Sequence, residues 1–335
     1  MSADATLRPF DPASDYPGAA ELLCAVNRHD GVDWLPDAAS LEHDLAHDGS
    51  FRPSVDALVA ESGGRMAGLV TTAWRQRGDK VVHRIELVVR PEARRHGIGG
   101  RLLAWAEGHI ADRVASGEAG PAGLTQELGG WADDGVPGSP ELAASHGYRA
   151  VRYGMDMLRP LTGPAAASIP DVPLPPGIEL RPVVPADHRR IWEADVEAFR
   201  DHWEAATRTD ADFDWWFSLP NLDTSLWQVA WEGDEVVGSV FVVIDADENA
   251  RLGVNRGWLH HVSTRRPWRR RGVASALIAA SLRALQARGV DEAALGVDTE
   301  NTSGAVRVYE RMGFVRHHTG VHYRKSLAIP ARASS

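Results

Sequence analysis

A single cysteine, Cys24, is all the thiol chemistry in a chain of 335 residues, which excludes an intramolecular disulfide and any metal site spaced on cysteine pairs. No metal is implied, and a reducing compartment fits. Long apolar runs are missing too: nothing approaches the roughly eighteen residues of a membrane span. Met1 to Ala20 holds acidic residues where a secretory signal would have its apolar core, so the expected setting is cytoplasmic, with no membrane partner. Positive charge is in deficit, with a formal net charge of −10, and no nucleic-acid partner is expected. Against that background the cluster Arg265, Arg266, Arg269, Arg270, Arg271 suits one small polyanion.

What the chain does contain is one device written twice. Arg94-Arg95-His96-Gly97-Ile98-Gly99-Gly100 and Arg269-Arg270-Arg271-Gly272-Val273-Ala274 both read Arg-x-x-Gly-x-Gly/Ala. Each follows an apolar strand-like run, Ile85 to Val89 or Leu259 to Ser263. Each leads into residues at helical spacing: Ile98, Leu102, Ala106, Ile110 in one and Val273, Leu277, Ala280, Ala284 in the other. A glycine at such a turn lets backbone approach a ligand, and the unpaired N–H groups of the first helical turn converge on an anion with help from the helix dipole. A phosphate is the natural guest. No Gly-Lys-Ser/Thr follows either loop, which argues against a Walker-type nucleotide site, and the three-glycine spacing of a dinucleotide fold is missing from both.

Other landmarks recur in the same order: Leu7-Arg8-Pro9 with Leu180-Arg181-Pro182, Val59-Ala60 with Val229-Ala230, Gly68 with Gly238, Gly97 with Gly272, and Gly147-Tyr148 with Gly313-Phe314. Their offsets of 173, 170, 170, 175 and 166 residues drift only as loop insertions and deletions would make them drift. The period is domain-sized, and the length exceeds what one core usually fills, so a tandem duplication with two cores is expected. Arg159 to Gly177 carries Pro160, Pro164, Pro170, Pro173, Pro175 and Pro176, a semi-extended connector between the copies. Within each copy a helix (Tyr16 to Arg28; Ala186 to Phe199) precedes a hairpin turning at Gly63-Gly64 or Gly233-Asp234, then the strand, basic loop and helix. The second copy continues with a strand from Glu292 to Val297, a turn at Asp298 to Thr302, a helix from Ser303 to Met312 and a last strand from Phe314 onward. The layout is mixed α/β.

These residues resemble the Gcn5-related N-acetyltransferases, on the loop motif in both halves and on Asn301, Ala305, Tyr309-Glu310-Arg311-Met312-Gly313-Phe314 in the second. The tandem arrangement resembles that of the mycothiol synthases and their bacterial relatives. The resemblance implies two tandem domains, 1–160 and 178–330, joined by a linker at 161–177, each a mixed, mostly antiparallel sheet flanked by helices (α+β). It implies acetyl-coenzyme A as co-substrate, and direct acetyl transfer to a primary amine of a small molecule. The cofactor residues it implies are the loop Arg269, Arg270, Arg271, Gly272, Val273, Ala274 and Ser275, whose amides would cradle the diphosphate. The strand Val262, Ser263, Thr264 would hold the pantetheine arm beside Glu292 to Val297, and Asn301 the arm or its own turn. In the first half the matching loop residues are Arg94, Gly97 and Gly99. Tyr309 would be the general acid for the departing thiolate, against the alternative of a packed helix tyrosine.

Acyl transfer also needs an uncharged amine near the thioester and stabilisation of the oxyanion. Eleven residues ahead of the loop glycine, where many members of this family carry a glutamate, stand Glu86 and His261. His261 reads as a proton acceptor or as a buried structural histidine, with His260 on the opposite face of a regular strand. Glu86 reads as a relic or an interdomain contact. The first half has Ala143 where the second has Tyr309, and a Gly/Pro-rich passage from Gly129 to Gly138, so catalysis is assigned to the second domain. Eight of the twelve tryptophans lie in that half. With Asp201-His202-Trp203, Asp212, Asp214 and Trp215-Trp216 they suit an amine or amino-sugar pocket, or ordinary aromatic packing. Arg265 and Arg266 meet the 3′-phosphate of the coenzyme or form a solvated face. A different class also stays open: an acyl-coenzyme A sensor in which both loops bind and neither half turns over.

Overall fold

The computed structural model describes residues 5–47, 49–164, 166–205, 207–219, 222–300 and 304–327. They form two compact units, one drawn from Met1–Tyr153 with Gly320–Ser335 and one from Gly154–Thr319.

The first unit runs β1 (Thr6–Pro9), α1 (Tyr16–Asp30), α2 (Ala38–His47), α3 (Pro53–Asp56), β2 (Ala57–Ser62), β3 (Arg65–Arg77), β4 (Lys80–Val89), α4 (Ile98–Ser116), β5 (Thr125–Asp133) and α5 (Ser139–Ser145). Strand β6 (Arg149–Pro160) leads onward. The second unit runs β7 (Glu179–Leu180), α6 (His188–Phe199), α7 (Asp210–Ser218), β8 (Gln228–Glu232), β9 (Glu235–Val243), α8 (Ala246–Leu252), β10 (Arg256–Thr264), α9 (Val273–Ala287), β11 (Glu292–Asp298) and α10 (Ala305–Arg311), before β12 (Val315–Ser326). The sheets have matching orders, β1-β2-β3-β4-β5-β12 and β7-β8-β9-β10-β11-β6. Each contains one parallel pair, β4 with β5 and β10 with β11, and is otherwise antiparallel.

The sixth strand of each sheet comes from beyond the other copy. Gly154–Pro160 of β6 pairs with Glu292–Asp298, and Gly320–Ser326 of β12 pairs with Glu127–Asp133. The units therefore divide the chain inside two strands, at 153/154 and 319/320. The Pro-rich passage after β6 is not a bare spacer, because Ile169, Val172 and Leu174 pack on the core of the second unit. The Gly129 to Gly138 passage begins as strand, with Gly129 to Asp133 inside β5.

The helix following each basic loop packs on its sheet through the expected spacing in α4, where Ile98, Leu102, Ala106 and Ile110 are all buried. In α9 the stripe is wider. Val273 and Leu277 are buried as expected, but Ile278, Leu282 and Leu285 take the core positions and Ala280 and Ala284 lie at its margin. Larger aliphatics bury more apolar area per residue than alanine, about 1.5–3 kcal/mol each, and so set the helix rotation.

The paired landmarks Gly68 and Gly238 sit at equivalent strand crossings. A Cβ on Gly238 would lie 2.5 Å from the Ser263 carbonyl oxygen and 3.1 Å from Thr264 Cα, both backbone, whereas one on Gly68 would meet the movable Leu102 Cδ1 at 3.0 Å and Ile98 Cγ2 at 3.1 Å and come no nearer to backbone than 3.2 Å, at the Val88 carbonyl oxygen. Overpacking against backbone costs about 1–3 kcal/mol. Gly238→Ala is expected to lower the thermal midpoint by several degrees and Gly68→Ala by less, measured by calorimetry; equal losses would contradict this register.

Candidate functional site

The two basic loops share an unusual backbone. Arg270 and Gly272 have φ of +62° and +90°, and Arg95 and Gly97 have +66° and +80°. Left-handed arginine costs about 1–2 kcal/mol, so the shape is held by its surroundings. Arg269 holds it in the second unit, donating from Nε to the Thr264 carbonyl at 3.0 Å, from Nη2 to the Ala198 carbonyl at 2.9 Å and from Nη1 to Asp201 at 2.6 Å. Arg94 does the same in the first, through the Val89 carbonyl at 3.0 Å and Asp30 at 2.8 and 2.5 Å. The first residue of each motif thus faces inward as a brace. Gly99 faces Leu142, where a Cβ would come within 3.4 Å, and so serves helix packing.

The consequence lies in the amides. Ala276 is the first residue of the helix start to bond backward, its N–H donating to the Gly272 carbonyl at 3.1 Å, as Arg101 does to Gly97 at 3.1 Å. Among the described residues the N–H groups of Arg270, Arg271, Gly272, Val273, Ala274 and Ser275 have no acceptor. Successive left-handed and right-handed residues aim such groups into one concavity, and the α9 dipole adds to its field. Arg270 and Arg271 are exposed, and the flanking basic residues are committed to carboxylates: Arg265 to Glu197 and Glu235, and Arg266 to both oxygens of Asp201. Arg266, and then Arg269, hold the Asp201 carboxyl well below the usual carboxylate range. Such a cradle offers converging donors to an anion.

Beside it the sheet splits. β10 and β11 pair only from Arg256/Glu292 to Trp258/Ala294; beyond that β10 bonds to β9 alone while β11 continues along β6 to Asp298. Among the described residues one edge of Leu259 to Thr264 is left without a strand partner, which opens a wedge between β10 and β11. Val262 packs with Val297 and Tyr309 in one cluster, and Ser263 Oγ lies 3.0 Å from Ser239 Oγ in the interior. In the first unit β4 and β5 part likewise after Arg84/Gly129.

Tyr309 lies on α10, 7% exposed, with its ring edge-on to Phe314 at 6.2 Å. Burial pushes its phenol up to about 12, and its hydroxyl has no hydrogen bond among the described residues. The Phe314 N–H donates to the Tyr309 carbonyl at 3.0 Å, as Tyr148 N–H does to Ala143 at 2.9 Å, so Ala143 stands at the equivalent place in α5 with a methyl where the second unit has a phenol. Asn301 and Ser303 lie outside the described residues.

His261 and His260 do not alternate as a regular strand requires, because the register slips between Leu259 and His261. This bulge leaves His260 exposed and packs His261 against Trp216 and Phe241, each 5.2 Å away and inclined by 23° and 21°, with those two rings 6.1 Å from each other. His261 Nδ1 is 2.8 Å from Asp195 Oδ2. Sequence reasoning missed Asp195; the signal was an acid on the apolar stripe Ile191, Asp195, Ala198 of α6. Glu86 is exposed and 3.3 Å from Arg84. Of the tryptophan group, Trp216, Trp227 and Trp231 are core, Asp212 caps α7 with Thr209, Asp214 is exposed and Asp201 holds arginines.

Comparison with known proteins decides what this geometry belongs to. The model of the acetyltransferase (GNAT) family matches residues 22–118 and 188–314, one region in each copy. The chain belongs to the GNAT acetyltransferase family. Curated relatives include a mycothiol acetyltransferase of Geodermatophilus obscurus, 30% identical over 97% of this chain and 100% of that protein, and one of Streptomyces coelicolor, 30% identical over 97% and 99%. A GNAT of Sphaerobacter thermophilus has a solved structure with TM-score 0.72, 29% identity and coverage of 97% and 96%. The fold is also that of a tandem GNAT protein from the clavulanic acid pathway, at TM-score 0.66, 18% identity and coverage of 97% and 99%. GNAT enzymes use acetyl-coenzyme A, and this GNAT chain is an acyltransferase. Among its described residues no helix is long and apolar enough to cross a membrane.

With a phenol near 12, Tyr309 stays protonated up to about pH 10. Ultraviolet difference titration of the wild-type protein against Tyr309→Phe is expected to place the ionisation of this residue well above the ordinary tyrosine value; a midpoint at about 10 would show that the ring is solvated.

Proposed function

We propose that the chain transfers an acetyl group from acetyl-coenzyme A directly to a primary amine of a small molecule, with catalysis in the second unit. The observation that carries the assignment is the pairing of an open amide cradle with a buried phenol in that unit, against Ala143 at the equivalent place in the first. The amides of Arg270 to Ser275 hold the diphosphate, and the free edge of Val262 to Thr264 aligns the arm as a pseudo-strand. Direct attack requires no protein nucleophile. His261 takes the proton released by the attacking amine, and the neutral phenol of Tyr309 gives its proton to the departing thiolate. Mycothiol acetyltransferase, the name of the relatives, supports an acceptor related to mycothiol. The first unit, with the same loop and no phenol, binds coenzyme A weakly or for structure only. A cytoplasmic setting fits this activity.

Thiol release from acetyl-coenzyme A, screened against amines, aminoglycosides, amino-sugar thiols and peptides, tests the activity itself. Tyr309→Phe is expected to lower kcat by about 10²-fold or more with coenzyme A binding unchanged, since general acid catalysis contributes on that scale. Full rate in this variant would refute the role. Gly272→Val forces a β-branched residue to a φ of +90° and is expected to weaken coenzyme A binding about tenfold or more by calorimetric titration, equivalent to about 1.4 kcal/mol. Gly97→Val should leave the catalytic rate nearly unchanged; equal effects of the two on activity would contradict the division between the units.

A further inference from the structure

Three buried carboxylates stand out in the interior, and two of them face arginine. Asp15 pairs with Arg8, and Asp56 with Arg113 as well as His109. Asp195, 1% exposed, has no arginine: among the described residues its sole hydrogen-bond partner is His261 Nδ1, and its buried Oδ1 has none. A carboxylate on the apolar face of an amphipathic helix is costly to keep unless something else requires it. The other acids of α6 behave ordinarily, Glu197 pairing with Arg265 near the surface.

We infer that Asp195 is a positioning residue which fixes His261 in the tautomer carrying hydrogen on Nδ1, so that Nε2 presents its lone pair to the amine. The inference rests on the acetyltransferase reading and deepens it. An ionised carboxylate accepts hydrogen bonds and donates none, so the 2.8 Å contact places the ring hydrogen on Nδ1. The Nε2 atom has no hydrogen bond among the described residues. The ring packs in an aromatic slot made by Trp216 and Phe241 at 5.2 Å and Phe199 at 5.1 Å. The strand bulge turns the ring into this slot. Glu86, exposed beside Arg84, has no such arrangement in the first unit.

As the N–C bond forms, the amine nitrogen gives one proton to Nε2, leaving an imidazolium with hydrogen on both nitrogens. Asp195 stabilises that charge and takes no proton. As the carbon–sulfur bond breaks the thiolate leaves with the Tyr309 proton, and the Nε2 proton then passes through water to the Tyr309 phenolate, restoring both the phenol and the starting tautomer. The same logic governs histidine bases oriented by aspartate on unrelated folds, where replacing the acid by its amide spoils the tautomer.

Nitrogen NMR of the full-length protein labelled in histidine, assigned with His261→Gln, reads the tautomer without any ligand. The expected wild-type spectrum shows a protonated Nδ1 and an unprotonated Nε2 at His261. Asp195→Asn is expected to shift hydrogen to Nε2 and to lower kcat about 10²-fold or more, with KM for acetyl-coenzyme A changed less than about threefold. Asp195→Glu should recover part of the rate. A wild-type His261 protonated on Nε2 overturns the inference even if the variants fail to fold, and so does Asp195→Asn with unchanged kcat. Wild-type protein that shows the Nδ1 tautomer but releases no thiol with any amine overturns the proposed function, and the role of the pair with it.

Discussion

The loop that opens α9 depends on a contradiction held in place: arginine in a left-handed conformation it disfavours, followed by main-chain N–H groups that have no acceptor among the described residues. Both features are tolerable only because Arg269 ties the end of β10 to α6 and Asp201, so that the backbone between Thr264 and Val273 has one path to follow. An anion bound there would satisfy these donors. The first unit repeats the arrangement with Arg94, Val89 and Asp30, which shows that the brace belongs to the scaffold and that what differs between the copies is chemistry.

That difference is concentrated at three places on a common frame. Where β10 separates from β11 the second unit has a bulge, whereas β3 and β4 pair without interruption past the corresponding point. Eleven residues before the loop glycine, a histidine held by a buried aspartate replaces an exposed glutamate. On the helix after the fifth strand, a buried tyrosine replaces alanine. The last two changes each place a titratable side chain near the split in the sheet, and the first alters the strand that carries one of them. None alters strand order, because the order is set by apolar packing on α4 and α9.

Much of this was legible in the sequence because it is local. Strand, basic loop and helix follow from apolar periodicity and a glycine, and the offsets between paired landmarks expose the duplication; Ala143 against Tyr309 was readable from Gly147-Tyr148 and Gly313-Phe314 alone. What stayed hidden is tertiary. That Arg94 and Arg269 face inward depends on carbonyls and carboxylates far away in the chain, and a basic motif beside a phosphate loop reads naturally as ligand contact. The exchange of β6 and β12 cannot be seen by comparing the copies, since a strand has the same pattern whichever edge it joins. Asp195 was visible as an acid on an apolar stripe, yet its partner is 66 residues away on β10. The aromatic residues near Trp216 were ambiguous for the opposite reason: their composition fits a pocket or a core, and burial assigns most of them to the core.

The amide cradle is what every later step in this account requires. A crystal structure with coenzyme A bound tests it most directly: the diphosphate oxygens are expected at hydrogen-bonding distance, about 2.7–3.2 Å, from backbone nitrogens within Arg270 to Ser275, with the sulfur beside Tyr309. A diphosphate seated away from those nitrogens, or found only at Arg95 to Gly100, would contradict it.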